Sequence, residues 1–186
     1  MTKTRWMKAG LLAGAIALAG AGVAWATTQP TLTYTPPTIK VKDHNLHNSV
    51  EDITVRREGG DFSFDTPSGF FLNPASDNGC VEDTGDYFCP RAGIEKITML
   101  LNNMNDIVDI DLGASGDKVK QIVKGQDGND DLTGGEGTQK LVGGEDNDEL
   151  FGGAGKDILL GGPGIDICIG GPGKDVMKDC EPVPMR

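Results

Sequence analysis

Short stretches of alternating apolar and polar residues run through the first part of the chain: TLTY at 31–34, IKVK at 39–42, ITVRR at 53–57, FSFD at 62–65 and IVDIDL at 107–112. A period of two puts every second side chain on one face, so each stretch predicts a short half-buried strand. Pro36-Pro37, Gly59-Gly60 and Pro67-Ser68-Gly69 separate them as turns. No stretch after residue 26 has the apolar spacing of an amphipathic helix.

At Gly125 the pattern changes. From there the chain divides every nine residues without an insertion, into GQDGNDDLT, GGEGTQKLV, GGEDNDELF, GGAGKDILL, GGPGIDICI and GGPGKDVMK. Glycine opens all six. The second position is glycine except at Gln126, and the fourth except at Asp146. The sixth position holds Asp130, Gln139, Asp148, Asp157, Asp166 and Asp175; the eighth holds Leu132, Leu141, Leu150, Leu159, Cys168 and Met177. Glycine reaches positive φ at little steric cost, so six residues can close a tight turn. Asp146 suits its glycine column, because Asp enters the left-handed region more readily than most residues. The last three residues of each repeat suffice for a short strand whose middle side chain points to one side. One nonapeptide cannot bury that side chain alone, so the strands must stack. A flexible glycine-rich linker would keep neither the period nor the apolar column. GGAGKD lacks the Ser or Thr that a phosphate loop requires after Lys156.

These residues resemble the RTX, or haemolysin-type, calcium-binding repeats, whose consensus is G-G-x-G-x-D-x-U-x. The resemblance covers residues 125–178. It implies an all-β fold: a right-handed parallel β-roll (a β-solenoid), with two nonapeptides per eighteen-residue coil and an irregular β-rich lead-in. It also implies Ca²⁺ between stacked turns, held by the sixth-position residues Asp130, Asp148, Asp157, Asp166 and Asp175 and by turn carbonyls, and folding coupled to calcium. Stacked coils lie about 4.8 Å apart, so superposed carboxylates repel unless a cation separates them. With every second repeat stacked, the pairs are Asp130/Asp148, Asp148/Asp166, Gln139/Asp157 and Asp157/Asp175. Three of these four gaps carry two carboxylates, which predicts three ions and a weak or empty gap at Gln139.

Composition then bounds the rest. Lys3, Arg5 and Lys8 precede an apolar run to residue 26 that ends on Ala24-Trp25-Ala26, the order of a cleaved signal peptide; an uncleaved anchor is the alternative. Cleavage leaves 28 acids against 14 bases, which repels nucleic acid and anionic membranes and attracts cations. With two Trp, two Tyr and six Phe in the whole chain, a conventional large core is not expected. Four cysteines in an exported chain suggest two disulfides, and spacing favours Cys80–Cys89 and Cys168–Cys180 over the other pairings. Free thiols or a thiolate metal site are the alternative, although no C-x-x-C pair occurs.

The expected organisation is a signal peptide (1–26), a β-rich lead-in (27–115), the repeat roll (116–178) and a C-terminal cap (179–186). Residues 101–109, LNNMNDIVD, read as a worn nonapeptide with Asp106 in the carboxylate column and Val108 in the apolar one. The lead-in reads as longer coils of the same stack, with a separate small β domain as the alternative. Candidate catalytic groups are sparse. His44 and His47 would need further ligands to hold Zn²⁺, and Asp61 with Asp65 is an imaginable carboxylate pair more simply read as solvated. The functional reading is a secreted, non-enzymatic Ca²⁺-binding protein. A small extracellular polysaccharide-active enzyme and an adhesive or matrix module are the alternatives, and a cell-envelope polysaccharide or protein is a candidate partner besides calcium.

Overall fold

The computed structural model describes residues 31–35, 38–42, 52–66, 71–72, 80–83, 86–113 and 119–181. The described residues are all-β and contain no helix. The proposed signal peptide, His44 and His47 lie outside them. The chain forms β1 (Thr31–Thr35), β2 (Thr38–Lys42), β3 (Asp52–Glu58), β4 (Asp61–Asp65) and β5 (Phe71–Leu72), then β6 (Val81–Asp83), β7 (Asp86–Pro90), β8 (Lys96–Leu100) and β9 (Ile107–Asp111). The remainder is β10 (Lys120–Asp127), β11 (Asp131–Thr133), β12 (Glu136–Glu145), β13 (Glu149–Phe151), β14 (Ala154–Gly155), β15 (Ile158–Leu160), β16 (Ile167–Ile169) and β17 (Val176–Lys178).

Two sheets share these strands. One runs β17-β15-β12-β10-β8-β2-β1-β5, with β14 joined to β12, and the other runs β16-β13-β11-β9-β3-β4-β7-β6. Both are mixed. From β2 and β3 to the C-terminal end neighbouring strands are parallel, and the chain alternates between the sheets as it advances. The outer N-terminal strands add antiparallel pairs: β1 with β2, β3 with β4, β4 with β7 and β6 with β7.

The parallel register shows how the repeats stack. Leu132 faces Leu150 and Leu150 faces Cys168 in one sheet; Leu141 faces Leu159 and Leu159 faces Met177 in the other. Each partner is eighteen residues on, so a coil is two nonapeptides. One coil earlier the spacing lengthens: Val108 faces Leu132 and Met99 faces Val123, both at twenty-four residues. The six extra residues are absorbed between β9 and β10 rather than in the strands.

The stretches read as strands from alternation fall in β1 to β4 and β9. Their inward residues Ile39, Val41, Ile53, Val55, Phe62, Phe64, Val108 and Ile110 are buried. The lead-in is better packed than the low aromatic content suggests. Of the buried apolar residues only Leu132, Leu141, Leu150, Leu159 and Cys168 belong to the repeats; the others precede Gly125. Phe62 and Phe64 are wholly enclosed, and a buried side chain of that size contributes about 1.5–3 kcal/mol. Few aromatics suffice because alternation in β4 turns both of them inward. The repeats bury one apolar residue per nine and end open, with Met177 52% exposed in the same column in which Leu159 is fully buried.

Candidate metal centre

The sixth-position residues form two columns. On one side Asp106 N–H donates to Oδ1 of Asp130 at 2.8 Å, Asp130 N–H to Asp148 at 2.9 Å, and Asp148 N–H to Asp166 at 2.9 Å. On the other, Gln139 N–H donates to Oδ1 of Asp157 at 2.9 Å and Asp157 N–H to Asp175 at 3.0 Å. Each aspartate thus reaches back one coil with one oxygen to tie it down. An outer ladder runs beside the first column, where Asn105, Asn129 and Asn147 accept from the main chain of Asn129, Asn147 and Ile165.

The second oxygen is the unusual one. Asp130, Asp148, Asp157 and Asp166 are at most 2% exposed, and in each Oδ2 is buried without a hydrogen-bond partner. A buried charge left so costs several kcal/mol unless something compensates it. Burial pushes the Asp130 carboxyl up from 3.8 to about 7, helped by the charges of Asp106, Asp148 and Asp146 and opposed by the hydrogen bond from Asp106. Asp148 rises to about 6, again chiefly through burial, with Asp166 and Asp146 adding repulsion. Asp157 rises through burial and the nearby Asp175. Asp175, in the last coil, is half-buried.

The first glycine of a repeat shapes the space these oxygens face. A Cβ on Gly125 would collide with Oδ2 of Asp130 and lie 2.9 Å from the carbonyl oxygen of Gly143. At Gly152 the same test meets Oδ2 of Asp157 at 2.9 Å and the Gly170 carbonyl at 2.7 Å. Carboxylate and carbonyl oxygen therefore border one small space from which a side chain is excluded. Among the described residues no three acidic, histidine or cysteine side chains gather at one point. A cation here would draw its other ligands from main-chain carbonyls and water. A hard ion that takes six to eight oxygens at 2.3–2.6 Å, such as Ca²⁺, fits that donor set, and a thiolate- or imidazole-seeking metal does not.

Gln139 breaks the second column in a definite way. Its Nε2 donates to Oε1 of Gln121 at 3.3 Å in the interior and to the Glu136 carbonyl at 3.1 Å nearer the surface. Its Oε1 is buried without a hydrogen-bond partner, as the Oδ2 atoms of the neighbouring coils are, but it belongs to a neutral amide and not to a carboxylate. Gln121 was not legible as a column member, because GDKVKQIVK at 116–124 lacks the second and fourth glycines. Gly116, Gln121 and Val123 nevertheless stand at its first, sixth and eighth places. At the other end, Asp166 N–H donates to Oε2 of Glu181, a residue that no period marks.

The non-repeat candidates gain little. Asp61 and Asp65 lie four residues apart on the extended β4, about 13 Å along the strand, beyond the roughly 5–9.5 Å that glycoside hydrolysis requires. The cysteines are joined as Cys80–Cys89 and Cys168–Cys180, leaving no free thiol. These bonds suit an oxidising compartment.

Residues 122–138, 133–168 and 142–177 match the family model of the RTX calcium-binding nonapeptide repeat (four copies). The chain carries several copies of this repeat, whose members bind Ca²⁺ and are typical of extracellular proteins. No curated protein and no solved structure matches the chain.

Proposed function

We propose that this protein is an exported calcium-binding β-roll, non-enzymatic, in which Ca²⁺ lodges between stacked turns and orders the repeats. Asp130, Asp148, Asp157, Asp166 and Asp175 would be the side-chain ligands, with first-position glycine carbonyls beside them. The observation that carries the reading is the row of buried Oδ2 atoms without partners, each against a glycine cradle that, for Asp130, Asp157 and Asp166, a carbonyl also borders. The eighteen-residue parallel register supports a roll of two nonapeptides per coil, and the preference of parallel crossovers supports the right-handed sense. The basic and apolar start of the chain supports export with cleavage after Ala26, and the division at 116 follows the first residue of GDKVKQIVK.

The bound ion would supply positive charge between like carboxylates. The residues do the rest: Oδ1 ties coil to coil while Oδ2 is held, already desolvated, at the mouth of the cradle. Neighbouring carboxylates 5 Å apart repel by on the order of 3 kcal/mol at an effective dielectric of about 20. Most of the one apolar core lies in the lead-in, so calcium-coupled ordering belongs to the repeats and not to the whole chain. Circular dichroism of the mature protein should show a partial strand signal in chelator and an increment with calcium at 10⁻⁴–10⁻³ M, as in extracellular modules. Mg²⁺ should not replace it, since it demands tighter octahedral geometry. Calorimetry that detects no calcium uptake at 10 mM, about tenfold above that range, would end this reading.

A further inference from the structure

The roll should end at the sixth repeat, and its last coil should leave Asp166 without an oxygen partner on the far side. The structure differs. We propose that Asp179, Cys180 and Glu181 build a closing divalent-cation site against Asp166, beyond the repeats, and that the Cys168–Cys180 disulfide holds it assembled. The proposal rests on the calcium reading of the repeat columns and adds a site that no nonapeptide encodes.

The main chain keeps the coil pitch up to this point. Gly134 N–H donates to the carbonyl of Phe151, Gly152 to Ile169 and Gly161 to Lys178, each seventeen residues on. The cradle at Gly161 then repeats the one at Gly125. A Cβ on Gly161 would collide with Oδ2 of Asp166 and with the carbonyl oxygen of Asp179, eighteen residues ahead, where Gly125 meets Asp130 and Gly143. Asp179 has a φ of 54°, so a non-glycine residue has taken the left-handed turn that brings its carbonyl there. That conformation is tolerated by Asp better than by most residues.

The carboxylate is supplied by a shortcut. In earlier coils the N–H that bonds a sixth-position carbonyl comes from nineteen residues on, as Ile167 does to Asp148. Glu181 N–H makes that bond to Asp166 from fifteen residues on, at 2.7 Å. The residue eighteen beyond Asp166 is Pro184, which has no acidic side chain to offer. Glu181 stands in, and Oε2 accepts from Asp166 N–H as Oδ1 of Asp166 accepts from Asp148.

Asp166 is wholly buried, and its Oδ2 has no hydrogen-bond partner. That oxygen, the Asp179 carbonyl and the Glu181 carboxylate are the donor set of one more inter-coil site. Cys180 lies between the two donors in sequence, and its bond to the inward-facing Cys168 fixes both to the core. The shortcut explains why the disulfide belongs here: four residues of coil are missing, and the covalent link takes the place of a strand ladder.

The test is calcium stoichiometry by calorimetry on the oxidised mature chain. Glu181→Gln keeps an acceptor for Asp166 N–H and removes the charge, so it should bind one ion fewer while the remaining sites are unchanged. Cys168→Ser with Cys180→Ser should lose the same ion, and adding Glu181→Gln to that pair should take away no more. Full stoichiometry in Glu181→Gln, or a second ion lost when the changes are combined, overturns the closing site. Calcium uptake by the wild-type chain shows separately whether the repeat reading holds. If the wild type binds none, both ideas fall together.

Discussion

Asp148 stands in the middle of its column and separates two gaps, one toward Asp130 and one toward Asp166, whereas Asp175 on the opposite side borders only the gap toward Asp157. Asp148→Asn keeps an oxygen to accept from Asp130 N–H and deletes the charge. Two opposite effects follow. In chelator at pH 7.5 the ionised Asp148 is unfavourable, since its carboxyl is pushed up from 3.8 to about 6. Two pKa units correspond to about 3 kcal/mol, so the neutral amide should stabilise the calcium-free repeats by a few kcal/mol.

In calcium the sign reverses. A site saturated a hundredfold above its dissociation constant stabilises the fold by about 2.7 kcal/mol, so a variant that spoils two sites should lose about 5 kcal/mol of calcium stabilisation. The net loss is about 2 kcal/mol once the gain of about 3 kcal/mol from the neutral amide is counted. Asp175→Asn spoils one and should lose about half of that calcium stabilisation. Thermal melts of the three proteins, each in chelator and in excess Ca²⁺, read both effects, and calorimetry counts the ions. Asp148→Asn should melt above the wild type without calcium and below it with calcium, two equivalents short. A shift of the same sign in both buffers, or equal numbers of ions lost from the two substitutions, would refute the placing of ions between alternate repeats.

Three further outcomes are expected. Asp130 and Asp148 have folded-state values of about 7 and 6, above their ordinary 3.8; the stability they contribute to the calcium-free form is present below about pH 4 and lost as pH rises through 6 to 7. Calcium competes with those protons, so its apparent affinity at their shared gap should be roughly a hundredfold weaker at pH 5.5 than at 7.5, and a pH-stat that records no proton release on adding calcium at pH 6.5 would contradict this. Gln139→Asp removes the amide bonds to Gln121 and Glu136 and sets a carboxylate beside Asp157; it should add one calcium equivalent and loosen β12 in chelator, read by calorimetry and hydrogen exchange. In chelator, amides of 52–66 and 86–113 should stay protected while those of 143–181 exchange freely, and uniform exchange across both regions would show that the lead-in does not fold by itself.

How much of this was legible depends on which physics repeats. Glycine, the sixth-position aspartate and the eighth-position apolar residue each answer a need that recurs every nine residues. The strands at 131–133, 149–151, 158–160, 167–169 and 176–178 therefore fall where the period puts them. Alternation likewise marked β2, β3, β4 and β9. Antiparallel pairing of β4 and β7 was not readable, because it is specified by contacts between segments and not by either segment's own pattern. Gln121 escaped notice because a coil can keep its inward columns after losing two turn glycines. Asp106 was visible as a column member, yet its partner lay twenty-four residues on, and only the structure shows where the six additional residues go. Glu181 had no signal in the period at all, since its role comes from a break in register.

The column that begins at Ile39 changes chemistry along the fold. Ile39 faces Ile97, Ile97 faces Gln121, and Gln121 faces Gln139; Gln139 then bonds Asp157, and Asp157 bonds Asp175. The same inward place is thus filled by hydrocarbon, then by an amide ladder, then by carboxylates. Hydrocarbon at that place is stable without any ligand. The two glutamines bond one another and a carbonyl and carry no charge, so they need no counter-charge, although Oε1 of Gln139 is left buried without a partner. Carboxylates in the same place repel and are desolvated, and require a cation. A chain built in this order carries a template free of carboxylates in this column up to β12. Each acidic coil can dock on the coil before it without nucleating a new stack. The opposite order would have the acidic coils stack first, with no finished sheet to align them. The placing of the two glutamines, at the boundary between the apolar and acidic parts of one column, makes the step from one chemistry to the other without leaving a buried charge beside a hydrocarbon neighbour.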